Sequence, residues 1–317
     1  MQILGGAGGT YSGVAPTMGS ATSAVGGWSA TITNYDAGFT YSATTTAGSV
    51  SISGSTITQS GLSPSASSTV TVTTVRSGYE SATGTVSGSA LALPTIQLLA
   101  VGGGGGGAVG FNNGSVAASA PGGGGGGVYM TGVNGLALSQ QGTYTVTVGQ
   151  GGGNTGASPA GNGGNTSITN PSSSTLVIVY GGGGSSNGYP SGTPGTGGTG
   201  GSYNGDNGIF TANTWTSPGL QTNFENVAAN ISKTYKRGGG AASGGGSAGP
   251  AGSGDGGQGG GGGNPSPGGA GGSGVVSMKI LTSNNSRITG TTGTASIYTD
   301  GTYTVYRWVS NGSFTVA

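Results

Sequence analysis

Chemistry has few places to reside in this chain. Asp36, Glu80, Asp206, Glu225, Asp255 and Asp300 are its six acidic side chains, and no histidine or cysteine occurs among 317 residues. That removes zinc sites built from His and Cys, Ser-His-Asp and Cys-His nucleophiles, and any disulfide scaffold. Two carboxylates could cleave a glycoside if held about 5 to 9.5 Å apart, but their wide spacing in sequence supplies no pairing. Asn204-Gly205-Asp206-Asn207-Gly208 carries oxygen ligands for calcium and reads better as a turn. Matches to GxGxxG arise wherever glycine repeats, and no Gly-Lys-Ser or Gly-Lys-Thr completes a phosphate loop. No catalytic residue, metal or cofactor is expected, and the chain reads as a non-enzyme.

Recognition chemistry gathers in one stretch, residues 203–237. Tyr203, Phe210, Trp215, Phe224 and Tyr235 stand there beside Glu225, Lys233, Lys236 and Arg237, in a chain only 4% charged and 7% aromatic. Aromatic faces with polar neighbours suit sugars or partner side chains, and the same residues would serve equally as a small core or a subunit contact. Tyr189, next to Pro190 on another loop between glycine runs, is a second candidate. The net charge of +1 leaves no basic face for phosphates, so nucleic acid is not an expected partner. No apolar run is long enough to cross a bilayer, and Met1-Gln2-Ile3-Leu4 lacks the basic start of a signal peptide. Neither membrane insertion nor a targeting segment is expected.

Short strands must position these groups. Glycine supplies 79 residues and proline 12, which invites a reading of disorder, but disorder normally accompanies high net charge. Here the β-branched residues collect into runs with turn signals between them. Residues 1–15 form a glycine-rich arm. Residues 16–93 are rich in Ser and Thr, with alternation around Trp28, Ala30 and Ile32, then Phe39, Tyr41 and Ala43, Val50 and Ile52, and Val70 and Val72. Trp28 is the expected core anchor. Turns are expected at Asn34-Tyr35-Asp36-Ala37-Gly38, Ala47-Gly48, Ser53-Gly54 and Ser60-Gly61-Leu62-Ser63-Pro64. Residues 94–317 alternate strands with glycine runs at 102–107, 122–127, 151–153 and 181–184, and a long tract at 238–274.

An isolated glycine run is usually a linker, yet these begin at the ends of apolar strands and return to others, so both ends are pinned. Ordering them costs roughly 1 to 2 kcal/mol per residue of backbone entropy, which only main-chain hydrogen bonds can offset. A polyglycine helix of the polyproline II kind directs those groups outward in three directions, and glycine alone lets such helices approach each other. Gly102, Gly104, Gly107, Gly122, Gly124, Gly127, Gly181 and Gly184 are the expected structural glycines.

Residues 16–93 resemble the immunoglobulin-like or fibronectin-III-like modules of viral and bacterial surface proteins, with Gly61-Leu62-Ser63-Pro64 placed like the turn closing the middle strands and without the antibody disulfide. The larger part is similar to the glycine-rich domain of tail fibres and fibre-tip adhesins of tailed bacteriophages. Ile96-Gln97-Leu98-Leu99-Ala100-Val101 with 102–107, Pro121 with 122–127, Gly142-Thr143-Tyr144-Thr145-Val146-Thr147-Val148-Gly149, the Tyr180 junction with 181–184, and Gly271-Gly272-Ser273-Gly274-Val275-Val276 carry that likeness over about two thirds of the chain. It implies packed polyglycine II helices capped by host-recognition loops. One departure is 301–316, which looks like the hairpin that often precedes the first strand; here it would close the sheet from the other side or pair with a neighbouring subunit.

The expected fold class is all-β, an immunoglobulin-like sandwich followed by a glycine-rich β domain with packed polyglycine II helices. The expected function is that of a phage virion structural protein, a tail-fibre or fibre-tip adhesin on the particle surface. Its expected partners are other virion proteins, a host surface polysaccharide or outer-membrane protein, and further copies of itself in a homo-oligomer. A capsid decoration, baseplate or filament subunit, and a glycan-cleaving tail enzyme, are the alternatives.

Overall fold

The computed structural model describes residues 10–108, 111–112, 117–118, 123, 126–131, 134–153, 160–185, 268–293 and 295–317. The described residues are nearly all β, with several antiparallel sheets, and the chain divides into two compact units between Leu93 and Pro94.

In the first unit, β1 (Thr22–Ala24), β2 (Gly27–Thr31), β3 (Thr40–Thr45), β4 (Ser49–Ser53), β5 (Thr56–Ser60), β6 (Ser67–Val75) and β7 (Ala82–Ser89) form two antiparallel sheets, ordered β1-β2-β5-β4 and β3-β6-β7. The period of two in the sequence is what makes them two-sided: in β6 the burial alternates strictly along Ser67–Val75. Trp28, Ala30, Ile32, Ile57, Leu62, Val70, Val72 and Ala90 meet in one core. All four expected turns fall between strands or, for 34–38, between the bridge at Ile32 and β3; Gly48, Gly54 and Gly61 there have φ of +68°, +54° and +74°, a region that favours glycine. Residues from Tyr11 onward are tied down rather than trailing: Tyr11 bridges Tyr79 in parallel, and the Thr74 hydroxyl donates to Val14 O at 2.7 Å.

In the second unit, β8 (Thr95–Val101), β11 (Val128–Met130), β12 (Leu136–Ala137), β16 (Val275–Leu281), β18 (Ala295–Asp300) and β19 (Tyr303–Trp308) make one sheet, ordered β11-β8-β16-β19-β18 with β12 also on β8. A five-stranded sheet runs β15 (Thr175–Val179), β14 (Thr166–Thr169), β13 (Gly142–Thr147), β20 (Gly312–Val316) and β17 (Ile288–Thr292). A two-stranded pair joins β9 (Phe111–Asn112) and β10 (Ala117–Ala118), and a short 3-10 helix spans Thr282–Arg287.

Aromatics join the two larger sheets. Trp308 of one lies 5.9 Å from Phe314 of the other, which stacks on Tyr144 at 5.0 Å with planes 3° apart. Burial pushes the pKa of both Tyr144 and Tyr306 up. Tyr144 donates its hydroxyl to Gln140 O at 2.7 Å, and Tyr306 donates to Asn285 Oδ1 at 2.6 Å. Residues 301–316 are not a hairpin. Strands β19 and β20 part into the middle of different sheets, pairing Tyr306 with Met278 and Phe314 with Tyr144. The reason lies in packing: the split sets the fully buried Trp308 of one sheet against the fully buried Phe314 of the other.

Candidate functional site

Six strands of the second unit continue directly into glycine segments. Strands β8, β13 and β15 feed outgoing runs, and β11, β14 and β16 receive returning ones. The run 102–107 lies among the others, and its amides follow a period of three. Gly103 and Gly106 donate to Gly164 O and Gly161 O, both at 2.9 Å, whereas Gly104 and Gly107 donate to Gly272 O and Gly269 O, both at 2.8 Å. Gly102 donates to Gly127 O at 2.9 Å. The carbonyls repeat the pattern, since Gly103 O accepts from Gly182 N at 2.8 Å and Gly106 O from Ser185 N at 3.1 Å, while Gly104 O accepts from Gly152 N at 2.7 Å.

These contacts leave no room for side chains. A Cβ at Gly106 would lie 2.6 Å from Gly153 O, and at Gly102, Gly103, Gly105, Gly163, Gly181, Gly184 and Gly271 it would run into a facing carbonyl more closely still. Of the glycines expected from sequence, Gly102, Gly181 and Gly184 are of this kind, and Gly104, Gly107 and Gly127 take part in the hydrogen-bond network. Gly122 and Gly124 lie outside the described residues. Gly103, Gly105, Gly106, Gly151 and Gly271, which lie in tracts the sequence singles out without being named as structural glycines, are of the same kind; so is Gly163, where Asn162 interrupts the glycine and leaves no run to recognise.

Side chains finish the network where it meets the sheets or runs out of neighbours. The buried Thr166 hydroxyl accepts from Gly149 N at 2.9 Å and donates to Val101 O at 2.7 Å, so one side chain joins three segments. Asn162 and Asn165, three residues apart, accept from Gly184 N at 2.7 Å and Gly181 N at 3.1 Å. Thr166→Val strands a buried amide and a buried carbonyl; it is expected to destabilise the unit by about 1 to 3 kcal/mol. Calorimetry of the full chain would read this as a lowered Tm, against almost no change for Thr143→Val, whose bond to Thr315 is exposed.

At the end away from the sheets, the run termini come together. Ala108 N donates to Ser185 Oγ at 2.6 Å, Ala160 N donates to Ser185 O at 2.9 Å, and a Cβ at Gly268 would sit 2.5 Å from Ala108 O. Ser185 and Gly268, the described residues on either side of 186–267, therefore both lie at this end. Tyr189, Tyr203, Phe210, Trp215, Phe224 and Tyr235 all belong to that segment and lie outside the described residues, as do Asp206, Glu225 and Asp255.

Charge is sparse elsewhere. Asp36 and Glu80 belong to the first unit and Asp300 to β18, and among the described residues no group of three or more His, Cys, Asp or Glu could hold a metal. On the far face of the six-stranded sheet, Ser277, Lys279 and Arg307 are buried beside Leu99, Val101 and Val275. Lys279 Nζ sits 5.8 Å from the Tyr303 ring, and Arg307 Nε and Nη2 have no acceptor among the described residues. Arg287, by contrast, grips Ala317 O through Nε at 2.9 Å and Nη2 at 2.6 Å.

No curated protein and no solved structure matches the chain. A family defined as a glycine-rich domain matches residues 81–281, from just before β7 of the first unit to the last residue of β16. The match stops short of β17 to β20, although these complete both large sheets. Covering more than half of the sequence, and containing every one of the interlocked glycine segments, it shows that the chain belongs to the glycine-rich domain family.

Proposed function

We propose that this chain is a structural protein of a tailed-phage particle, a tail-fibre or fibre-tip adhesin displayed on the particle surface. It would assemble as a homo-oligomer with other virion proteins and touch a host surface polysaccharide or outer-membrane protein. The observation that carries the reading is the convergence of run termini at one tip, where Ser185 and Gly268, which flank a long segment rich in aromatics, both meet Ala108. A rigid scaffold that presents variable loops is the usual arrangement of a recognition surface.

Two finer readings belong with it. The glycine segments are polyglycine II helices, because a residue and its third successor address the same neighbour, as three residues per turn require. The first unit is an immunoglobulin-like sandwich, because its four-plus-three strand order follows the A-B-E-D and C-F-G arrangement of that fold.

The test is adsorption of particles carrying Trp215→Ala. A loss of attachment by about tenfold or more, with particles of normal yield and shape, is the expected result, since anchoring aromatics are worth about 2 kcal/mol or more at such contacts. Normal adsorption, together with an image of the particle in which residues 203–237 are enclosed between subunits, would instead favour the non-receptor structural role.

A further inference from the structure

The first unit carries a second concentration of recognition chemistry, unrelated to the tip segment. From Tyr11 to Leu93 the aromatics are Tyr11, Trp28, Tyr35, Phe39, Tyr41 and Tyr79, and the charged residues are Asp36, Arg76 and Glu80. Trp28 is in the core. All the others lie at one pole, on the loop entering β3, the turn from β6 to β7, and the segment that bridges Tyr79. Strand pairing puts them there, because Thr40 at the start of β3 opposes Val75 at the end of β6.

They form one continuous strip. Tyr11 lies 5.1 Å from Tyr79, which meets Phe39 edge-on at 5.5 Å. The Arg76 guanidinium rests over both Phe39 and Tyr79, at 5.3 and 5.1 Å, and reaches Asp36 Oδ2 at 3.9 Å. Asp36 N donates to the Tyr41 hydroxyl at 2.9 Å, and Tyr41 stacks on Tyr35 at 5.0 Å.

A mini-core would close over such rings, and this one does not. Tyr11 is 68% exposed and Tyr35 40%, so each uses one surface against its neighbour and leaves another in water. The Arg76 and Asp36 side chains are 43% and 58% exposed, and an exposed pair at that separation contributes little to stability. Stacking holds the guanidinium in place without consuming its donors, which lowers the entropy lost when a ligand takes them. The pole thus offers open aromatic faces, fixed N–H donors and a carboxylate acceptor in one row. That set matches a pyranose, whose C–H face lies on an aromatic ring while its hydroxyls both donate and accept. Asp36 and Glu80 outnumber Arg76, so a polyanion is disfavoured.

We propose that this pole is a binding site for a neutral oligosaccharide, with Tyr11 and Tyr35 as stacking platforms and Arg76 and Asp36 as the hydrogen-bonding pair. It does not depend on the tip segment or on the adsorption result.

Saturation-transfer NMR on the full chain with three neutral hexasaccharides, an α-1,4-glucan, a β-1,4-glucan and an α-mannan, tests it. Ring-proton transfer to at least one is expected. Tyr35→Ala, Tyr11→Ala and Arg76→Ala should each weaken that binding by about fivefold to tenfold, the equivalent of about 1 to 1.4 kcal/mol, with an unchanged near-ultraviolet signal reporting an intact core. Trp215→Ala should bind as the parent does. No transfer to any of the three, binding indifferent to all three pole variants, or loss only in Trp215→Ala would each overturn the proposal.

Discussion

Gly102→Val and Gly105→Val are each expected to leave the second unit unfolded while the first keeps its structure. At Gly102 the new Cβ would lie 2.8 Å from Tyr180 C, and at Gly105 it would lie 2.8 Å from Gly184 N, with a carbonyl oxygen nearer in each case. The obstacles are main chain, so no rotamer change relieves them. Moving the run aside breaks bonds on several sides at once, including Gly103 to Gly164, Gly182 to Gly103 and Gly152 to Gly104. Each is worth about 1 kcal/mol net and more when its partners are left dry, so losing several approaches the whole stability of about 5 to 15 kcal/mol. Hydrogen exchange by mass spectrometry on the full chain should show β8, β13 to β16, β19 and β20 exchanging freely, with β3 and β6 still protected. Gly153→Ala is the control: a Cβ there meets nothing within 4 Å, and the change should move stability by no more than about 0.5 kcal/mol. Slow exchange retained in β8 and β16 of Gly102→Val would show that the runs can separate without loss of the fold.

Trp28→Ala is expected to do the reverse, unfolding the first unit and sparing the second. The indole is 1% exposed, donates from Nε1 to Ser68 Oγ at 2.9 Å, and lies so close to the backbone that a Cβ on Gly88 would fall 2.6 Å from its Cδ2. Truncation empties the centre of a small core and strands a buried hydroxyl, a cost of about 3 to 5 kcal/mol. Ser68→Ala removes only the hydrogen bond and should cost about 1 kcal/mol. Exchange in β2, β5 and β6 distinguishes the two, and an unaltered β6 in Trp28→Ala would deny the indole its anchoring role.

What could be read from the sequence was local. Turns at Gly48, Gly54 and Gly61 announced themselves because left-handed backbone favours glycine, and the strands around Trp28, Tyr41, Ile52 and Val70 because their alternation is clean. Strand β5 was harder, since its second inward position is Gln59, a polar residue whose buried Nε2 donates to Ala47 O at 2.6 Å and to Ser60 O at 3.3 Å. Strand β7 carries no apolar alternation to mark it, being built mostly of small residues, and Gly88 there makes space for Trp28. Proximity in sequence suggested a hairpin at 301–316, whereas long-range pairing with β16 and β13 decided otherwise. The polar pole of the first unit was illegible for the same reason: Tyr11, Tyr35, Arg76 and Tyr79 become neighbours only through the register of β3 on β6. The aromatics of residues 203–237 stood out by composition, which locates a segment without giving it geometry.

The period of three among the glycine amides has a consequence for how the chain finds its alignment. A segment shifted by three residues repeats the same bonding pattern over its glycines alone; in the run 102–107 the shift would carry Ala100 into the place of Gly103 or Ala108 into that of Gly105, where a facing carbonyl leaves no room for a Cβ. Alignment has to be imposed from the ends, by the apolar pairs of the two sheets, by the Thr166 hydroxyl and by the asparagine amides at the margin. A chain threaded three residues out of step would be penalised at the margins of each run, where side chains meet the bundle.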